Sequence, residues 1–363
     1  MLFDLPDDDI LYRALIERDP SFDGFAFVGV KSTGIFCRLT CPARKPKREN
    51  SVFYSSVASA MEAGYRPCKR CCPLMLGGQK DPLIDNLLTA LENSPDKRWS
   101  EDDVQAMKMD PSTVRRAFKR QFGITFLEMA RLRRLGKGVD ALTKGNQVIE
   151  AQLDANYESS SGFRAAITRQ IGLKPSHAHR HLFLKAEWLD TPIGTMLAIA
   201  DEQTLYLLEF VDRPALANEI DKLKKLTSSE IIFGRTAALE LLNEELISYF
   251  SGKNQVFKTH LAEFGSLFTR KVWDALREIP TGELRSYSDL AKDIGQPSAS
   301  RAVARANGAN QISILIPCHR VIGADGSLTG YGGGLWRKRW LIEHERRIAM
   351  KSSKKEWGNE SGK

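Results

Sequence analysis

Cys37-x3-Cys41 and Cys68-x2-Cys71 set four sulfurs in two short-spaced pairs, with 26 residues between Cys41 and Cys68. Zn²⁺ accepts four thiolates tetrahedrally, and two such pairs let two turns close around one ion. The expectation is a metal site; its blandest form is a structural zinc that only holds a small domain together. Cys72 adjoins the last ligand and reads as a bystander. The remaining cysteine, Cys318, stands in Ile316-Pro317-Cys318-His319-Arg320-Val321. A lone buried cysteine is usually a small hydrophobe. Here His319 offers a base for the thiol proton, Pro317 fixes the chain's entry angle, and Arg320 adds positive potential that favours thiolate.

The bulk properties bound what these sulfurs can be. At 363 residues the chain is too long for one ordinary core, and two to four domains are expected. Hydrophobic residues make up 42% and charged residues 27%, the balance of a soluble globular protein. No apolar stretch is long enough for a transmembrane helix. The start, MLFDLPDDDI, is acidic and lacks the basic-then-apolar order of a signal peptide. A cytoplasmic, reducing location follows, where cysteines serve as ligands or nucleophiles rather than disulfides. The formal charge of +8 points to a polyanionic partner, and its distribution says more. Arg115, Arg116, Lys119, Arg120, Arg131, Arg133 and Arg134 crowd between Lys108 and Lys137; Arg44, Lys45, Lys47 and Arg48 flank the first cysteine pair.

Composition separates three segments. Residues 1–76 hold five cysteines and run out at Leu76-Gly77-Gly78-Gln79, a linker composition. Residues 81–182 are rich in helical patterns and leave through Pro175-Ser176-His177-Ala178-His179. Within them Asp110-Pro111-Ser112 opens a helix, with Asp at the N-cap and Pro at the first position. That helix reaches 122, carries Val114, Ala117 and Phe118 on one line, and stops at Gly123. A short turn before an arginine-studded helix suits a recognition helix. The third segment starts near 187 with strand-like runs at 188–189, 196–199 and 205–208. Helical periodicity follows at 237–250 and 268–279, and the polar residues 349–363 read as a disordered tail.

GIFCRLTCPARKPKRENSVFY, followed by AGYRPCKRCCP, resembles the N-terminal zinc domain of the Ada DNA-repair regulators. The resemblance implies one Zn²⁺ on Cys37, Cys41, Cys68 and Cys71 that is chemically active. Cys37 would attack the methyl carbon of a methyl phosphotriester in the DNA backbone. Methylation turns a thiolate into a thioether and removes one negative charge. At an effective dielectric of about 20, one charge at ~8 Å is worth roughly 2 kcal/mol before salt screening. Thr33, Arg44 and Arg66 would touch the DNA backbone; Pro42 stands where some members carry a basic residue.

MDPSTVRRAFKRQFGITF and ANYESSSGFRAAITRQIGLKPS resemble the two helix-turn-helix units of AraC-type regulators. The second departs at Gln152-Leu153-Asp154, at Lys174-Pro175, and at Asn156 where Gly is usual. Asn tolerates the left-handed conformation better than most residues, so the turn is expected to survive.

IPCHRV, together with FTRKVWDALREIPTGE, SYSDLAKDIG, SASRAVARANGAN and GSLTGYGGGLWRKRWLIEHE, resembles the O6-alkylguanine-DNA alkyltransferases over nearly all of 187–348. By that resemblance Cys318 is the acceptor, His319 takes its proton through a water, and Glu345 orients and charges the histidine. On spacing alone Glu345 reads as a surface ion pair with Arg346 or Arg347. The lesion must rotate out of the duplex. Residues 288–294 and 299–307 form the helix-turn-helix that allows this, with Ala299, Ala302, Ala304 and Ala306 permitting close approach to DNA. Arg301 would fill the vacated space, Tyr287 crowd the phosphate, Asn310 brace the motif, and Tyr331 lie over the guanine pocket. Gly265-Ser266 replaces the usual Gly-Thr. Gly332-Gly333-Gly334 follows Tyr331 in a loop, not a strand, so no S-adenosylmethionine site is expected.

The resemblances add up to a multidomain α/β chain. A small α/β domain with a four-cysteine zinc site (1–76) precedes an all-α AraC-type double helix-turn-helix domain (81–182). An alkyltransferase module follows, with a ribonuclease-H-like subdomain (187–265) and a winged-helix-like helical subdomain (266–348). They imply a methylated-DNA–protein-cysteine methyltransferase that repairs O6-methylguanine and O4-methylthymine stoichiometrically. Phosphotriester repair would switch on transcription of the adaptive response. The implied partners are damaged and promoter double-stranded DNA and RNA polymerase, for a monomer on the nucleoid with no membrane contact. Two rivals stay open at this stage. One is a regulator whose C-terminal domain is a sensor or remnant, against which the intact Pro317-Cys318-His319-Arg320 argues. The other is repair without promoter activation.

Overall fold

The structure, a computed structural model, describes residues 5–360 except 20, 21, 25, 72, 74–81, 123, 173, 174, 176–182, 254 and 255. The readings of Cys72 as bystander, of Gly123 as helix stop and of the 76–79 linker therefore lie outside the described residues. The molecule is a multidomain mixed α/β protein whose chain forms two compact units, Met1–Gln79 with Glu263–Lys363, and Lys80–Ala262. Among the described residues no helix is long and apolar enough to cross a membrane.

The first unit opens with α1 (Asp8–Glu17), capped by the Asp7 carboxylate. It continues through β1 (Phe27–Val30), β2 (Ile35–Arg38), β3 (Ser51–Tyr54), α2 (Val57–Glu62) and β4 (Arg66–Pro67). The four strands form one sheet in the order β3-β1-β2-β4. β1 and β2 turn at Gly34, whose φ of +62° is open to glycine at no steric cost. The pairing Val28↔Cys37 and the parallel approach of β4 to β2 fix where the cysteines emerge.

The second unit begins with α3 (Pro82–Asn93), α4 (Glu101–Ala106), α5 (Pro111–Phe122), α6 (Phe126–Thr143), α7 (Val148–Asp154) and α8 (Ser160–Ile171). As the sequence requires, Pro111 opens α5, with Asp110 Oδ1 accepting from Thr113 N at 2.8 Å. Val114, Ala117 and Phe118 are buried, and Arg115, Arg116 and Lys119 are exposed. Arg134 departs from its place in the basic cluster: it is buried in α6 and donates to the Asn156 carbonyl at 2.9 Å. The irregular second unit keeps its turn. Asn156 adopts φ +52°, and the buried Gln152 spans the bend by donating to the Tyr157 carbonyl at 2.8 Å.

β5 (Phe183–Thr191), β6 (Gly194–Ala200), β7 (Thr204–Phe210), α9 (Leu216–Thr227), β8 (Glu230–Phe233), α10 (Ala237–Phe250) and β9 (His260–Leu261) complete this unit. Their sheet runs β8-β5-β6-β7-β9. The alkyltransferase-like stretch 187–348 is therefore divided, its sheet grouping with the helical segment.

The rest of the first unit holds α11 (Leu267–Arg277), β10 (Arg285–Ser286), α12 (Tyr287–Asp293), α13 (Ser300–Gly308), β11 (Val321–Ile322) and α14 (Leu335–Glu360). Ser266 caps α11, its hydroxyl accepting from Thr269 N at 3.2 Å. α14 replaces the expected tail as far as Glu360, since the run beyond 349 is rich in the good helix formers Lys and Glu.

Asn156 gives a direct test of the second turn. Asn156→Val places a β-branched residue in the left-handed region and should destabilise the full chain by about 2 kcal/mol. Asn156→Gly loses only the amide bond to the Asp96 carbonyl and should cost roughly 1 kcal/mol or less. Equal losses in denaturant melts would show that the backbone conformation is not what constrains this position.

Candidate active site and metal centre

The four-cysteine cluster is built by backbone pairing. Cys37 sits on β2, and Cys68 N donates to the Phe36 carbonyl at 3.0 Å, which draws the chain after β4 alongside. Cys41 follows a tight turn in which its N–H donates to the Arg38 carbonyl at 3.1 Å. The sulfurs of Cys37, Cys41, Cys68 and Cys71 lie within 4.8 Å of one another, and the Cys41 and Cys68 sulfurs are 4.0 Å apart. Zn–S bonds of ~2.3 Å in a tetrahedron put sulfurs ~3.8 Å apart, so the set fits one Zn²⁺. Arg38 N and Arg70 N each point at a sulfur, of Cys71 and Cys68 respectively, at 3.4 Å.

The electrostatics agree. A hydrogen bond to Cys71, then burial, pushes the Cys37 thiol far up, and burial pushes Cys41 up to about 11. Four crowded thiols cannot ionise together unaided; a dication removes that barrier. The sequence-derived set is thus brought together with a metal-binding arrangement, and zinc is the metal indicated. Thr33, Arg44 and Arg66 are exposed and line the same cavity of about 620 Å³ as Cys37, Cys41 and Cys68.

The second site gathers around Cys318, which opens a 3-10 turn, Cys318–Arg320. The 312–316 run before it is a tight loop. Ile314 is held at φ +73°, an unusual conformation for a β-branched residue. Asn310 organises this loop: its Nδ2 donates to the Ile316 carbonyl at 2.8 Å and to Cys318 Sγ at 3.1 Å, and its Oδ1 accepts from Ile312 N. β11 pairs in parallel with β10 through Arg285↔Val321 and Ser286↔Ile322, which sets the start of α12 beside the cysteine loop. Tyr287, the first residue of α12, donates to the Thr329 carbonyl at 3.4 Å, and burial raises its hydroxyl pKa.

His319 is fully buried, and its Nε2 lies 2.9 Å from Glu345 Oε1. Glu345 is no surface partner of Arg346 or Arg347. It is buried on α14 and takes Arg320 in a fork, Nε to Oε2 at 2.8 Å and Nη2 to Oε1 at 2.9 Å. Burial alone would raise Glu345, but His319 and Arg320 outweigh it and hold the carboxylate well below its usual range. Burial lowers His319 more than Glu345 raises it, so the imidazole is neutral beside a charged carboxylate. Nε2 then carries the proton towards Glu345. Nδ1, which has no hydrogen-bond partner, keeps its lone pair for a base's task. Arg320 acts differently from its first reading: its charge is spent on Glu345, not on the thiol.

Arg301 is exposed near the start of α13, and Tyr331 is half-buried in the loop before α14. Ala302 is exposed, but Ala306 is buried, with its carbonyl accepting from Trp273 Nε1 at 2.9 Å, so it belongs to the core and not to a DNA face.

The sequence reading missed two groups. Asn307, buried, donates to the Cys318 carbonyl at 3.4 Å. Lys338, fully buried, donates to the carbonyls of Val321 and Thr329 at 2.5 and 2.6 Å. A signal existed for Lys338, since it precedes the buried Leu341, Ile342, Glu345 and Ile348 at helical spacing.

Burial pushes Lys338 down to about 8, while Cys318 pulls it back up. Between about 8 and the ordinary 10.5 the unfolded chain binds this proton and the folded chain does not, so stability rises with pH across that window. The unfolding free energy of wild type minus Lys338→Met should therefore climb by about 3 kcal/mol from pH 7 to pH 11. A difference flat with pH would mean that the ammonium is hydrated.

Comparison with known proteins agrees across the chain. Family models match for the metal binding domain of Ada (residues 10–73), a helix-turn-helix domain (104–181) and the DNA binding domain of 6-O-methylguanine DNA methyltransferase (267–347). A solved O6-methylguanine methyltransferase of Mycobacterium tuberculosis is 38% identical, covering 46% of this chain and 94% of that one, with a TM-score of 0.40. The regulatory protein ada of Salmonella typhimurium is 31% identical over 93% of this chain and 96% of its own length. The bifunctional transcriptional activator/DNA repair enzyme Ada of Escherichia coli K12 is 33% identical over the same shares. With identity sustained across both full lengths, the chain belongs to the Ada family.

Proposed function

We infer that this chain repairs alkylated DNA stoichiometrically, as a methylated-DNA–protein-cysteine methyltransferase that also regulates transcription. It takes the methyl of O6-methylguanine, and of O4-methylthymine, onto Cys318, and the methyl of backbone phosphotriesters onto Cys37. The observation that carries the reading is the Cys318 thiol under the Asn310 amide, next to a neutral His319 backed by Glu345.

Transfer forms a sulfur–carbon bond and breaks the oxygen–carbon bond of the lesion. The thiol proton passes through a water to His319 Nδ1. The imidazolium formed lies against Glu345, which stays ionised and so lowers the cost of separating charge. The base takes up one proton as its oxygen–carbon bond breaks and leaves as neutral guanine, which balances the proton that the thiol gave to His319. The thioether left on sulfur has no route back, so each cysteine works once, and with DNA as the methyl donor no S-adenosylmethionine is required. Outside the pocket, Tyr287 crowds the phosphate, Arg301 fills the space of the rotated nucleotide, and Tyr331 covers the base.

At the other site Cys37, Cys41, Cys68 and Cys71 would hold one Zn²⁺, which keeps the sulfurs ionised and nucleophilic. Thr33, Arg44 and Arg66 receive the phosphates. Methylation of Cys37 removes one negative charge and strengthens DNA binding. Two helix-turn-helix units, with the exposed arginines of α5, then hold promoter DNA for RNA polymerase. The functional modules are residues 1–76, 81–182 and 187–348, in a monomer working at the cytoplasmic nucleoid.

Intact-protein mass spectrometry after incubation with excess methylated duplex containing both lesions tests this reading. Two added methyl groups, mapped to Cys37 and Cys318, are expected. One on Cys318 alone would reduce the zinc site to a structural role, and none would leave a DNA-binding regulator. Glu345→Gln should slow methyl uptake at Cys318 by roughly 100-fold or more while leaving uptake at Cys37 unchanged. Equal slowing at both would mean that the substitution only damaged the fold.

A further inference from the structure

α14 starts directly after the segment that borders the Cys318 site. The Tyr287 hydroxyl donates to the Thr329 carbonyl at 3.4 Å, and a Cβ placed on Gly330 would sit 3.8 Å from the same hydroxyl oxygen. Tyr331 follows, then Gly332, Gly333 and Gly334. Three successive glycines have no side chains to pack and a wide choice of backbone conformation, so such a run does not fix its own position.

The first turn of α14 fixes it from both ends. Lys338 Nζ donates to the Thr329 carbonyl at 2.6 Å, and Arg337 Nη1 donates to the Gly333 carbonyl at 2.7 Å. Between them the backbone closes on itself: Gly334 N donates to the Tyr331 carbonyl at 2.9 Å, and Arg337 N to the Gly334 carbonyl at 3.1 Å. Arg337 is only 6% exposed, and its guanidinium lies over the Trp336 ring, 4.6 Å from the centroid. A buried guanidinium is tolerated only where its N–H groups are satisfied, so the loop cannot move off Arg337 without stranding one of its donors.

We propose that Arg337 is a positioning residue that staples the 331–334 loop over the acceptor site, and that this staple limits the size of alkyl group Cys318 accepts. The inference rests on the repair reading, in which Tyr331 covers the base. In-line attack by Sγ puts the alkyl carbon between the sulfur and the base oxygen, so any chain beyond that carbon must fit beneath whatever covers the base. A loop held at both ends yields little to added methylenes; a loop freed at Gly333 yields more. Selectivity is then a difference between two substrates in one pocket, set by how firmly its cover is held.

The test follows alkyl uptake at Cys318 of the full chain by intact-protein mass spectrometry, from duplexes carrying O6-methylguanine or O6-butylguanine. Uptake at Cys37 from a methyl phosphotriester duplex checks that each variant is folded. Wild type should prefer methyl by about tenfold or more. Arg337→Met keeps the aliphatic stem and removes the donors, and should narrow that preference by roughly fivefold or more. Its methyl uptake should need more DNA for the half-maximal rate but reach the same limiting rate, because Cys318, His319 and Glu345 are untouched. Arg337→Lys, whose ammonium still reaches the carbonyl, should recover most of the preference, and exchange of the Gly334 amide should rise in the same order of variants. Arg337→Gln replaces the methionine variant if that one fails the folding check. Equal wild-type rates for the two groups would overturn the proposal. So would folded Arg337→Met or Arg337→Gln protein that keeps the wild-type ratio or slows both uptakes equally. A wild type that takes up neither group would overturn the repair reading, and this inference with it.

Discussion

The fork between Arg320 and Glu345 is the constraint on which the alkyl-acceptor site depends. A buried carboxylate without a cation would either take up a proton or pull one onto the neighbouring histidine. Arg320 prevents both by engaging both carboxylate oxygens, and its remaining donors go to the Ile279 carbonyl and to Thr281 Oγ1. The guanidinium thus ties α14 to the loop after α11 and fixes the imidazole between them. With the pair internally neutral, burial decides the state of His319, and burial favours the uncharged ring. A base that starts neutral can accept a proton; one already charged by its carboxylate could not.

How far the sequence could be read follows from what kind of physics sets each position. The zinc ligands were legible because tetrahedral sulfur coordination imposes spacing within a short stretch of chain. The cap at Ser266 and the turn at Asn156 were legible because each is a local backbone preference. Partners distant along the chain were not. Glu345 has two arginines next to it in sequence, but adjacent helical residues do not face each other, and its true partner lies 25 residues earlier. Lys338 looked like one more solvated charge in Arg337-Lys338-Arg339, and only the helical spacing of its apolar successors hinted that it points inward.

The same limit governs reading DNA binding from composition. A net charge of +8 says that a polyanion would be attracted, but not which cations face it. Packing sorts them. Arg134 is consumed by the Asn156 carbonyl, Arg133 pairs with Glu92, and Lys137 pairs with Asp96. Arg115, Arg116 and Lys119 are exposed on the face of α5 away from its core, Arg115 in an ion pair with Glu101 that phosphate would have to displace. Arginine serves both ends because its planar fork satisfies carbonyls and carboxylates as readily as phosphates.

Each acceptor sulfur must be anionic at the moment of attack, in a place where a free charge is costly. The two sites meet that demand in opposite ways. In the cluster, burial and mutual crowding oppose ionisation of Cys37 and Cys41, and a dication held by the four sulfurs would supply the charge that lets them stay thiolates. At Cys318 the base is a neutral imidazole backed by Glu345, and the proton it takes from the thiol is what frees the nucleophile. Alkylation therefore has different electrostatic consequences. At Cys318 the proton leaves as the alkyl group arrives, and thiol and thioether carry the same charge. At Cys37 a thiolate becomes a thioether, and one unit of repulsion towards DNA is lost beside Arg44 and Arg66. Loss of a thiolate's charge beside those cations would be felt by a second stretch of DNA, and a damage-sensitive switch at the metal would draw on that change.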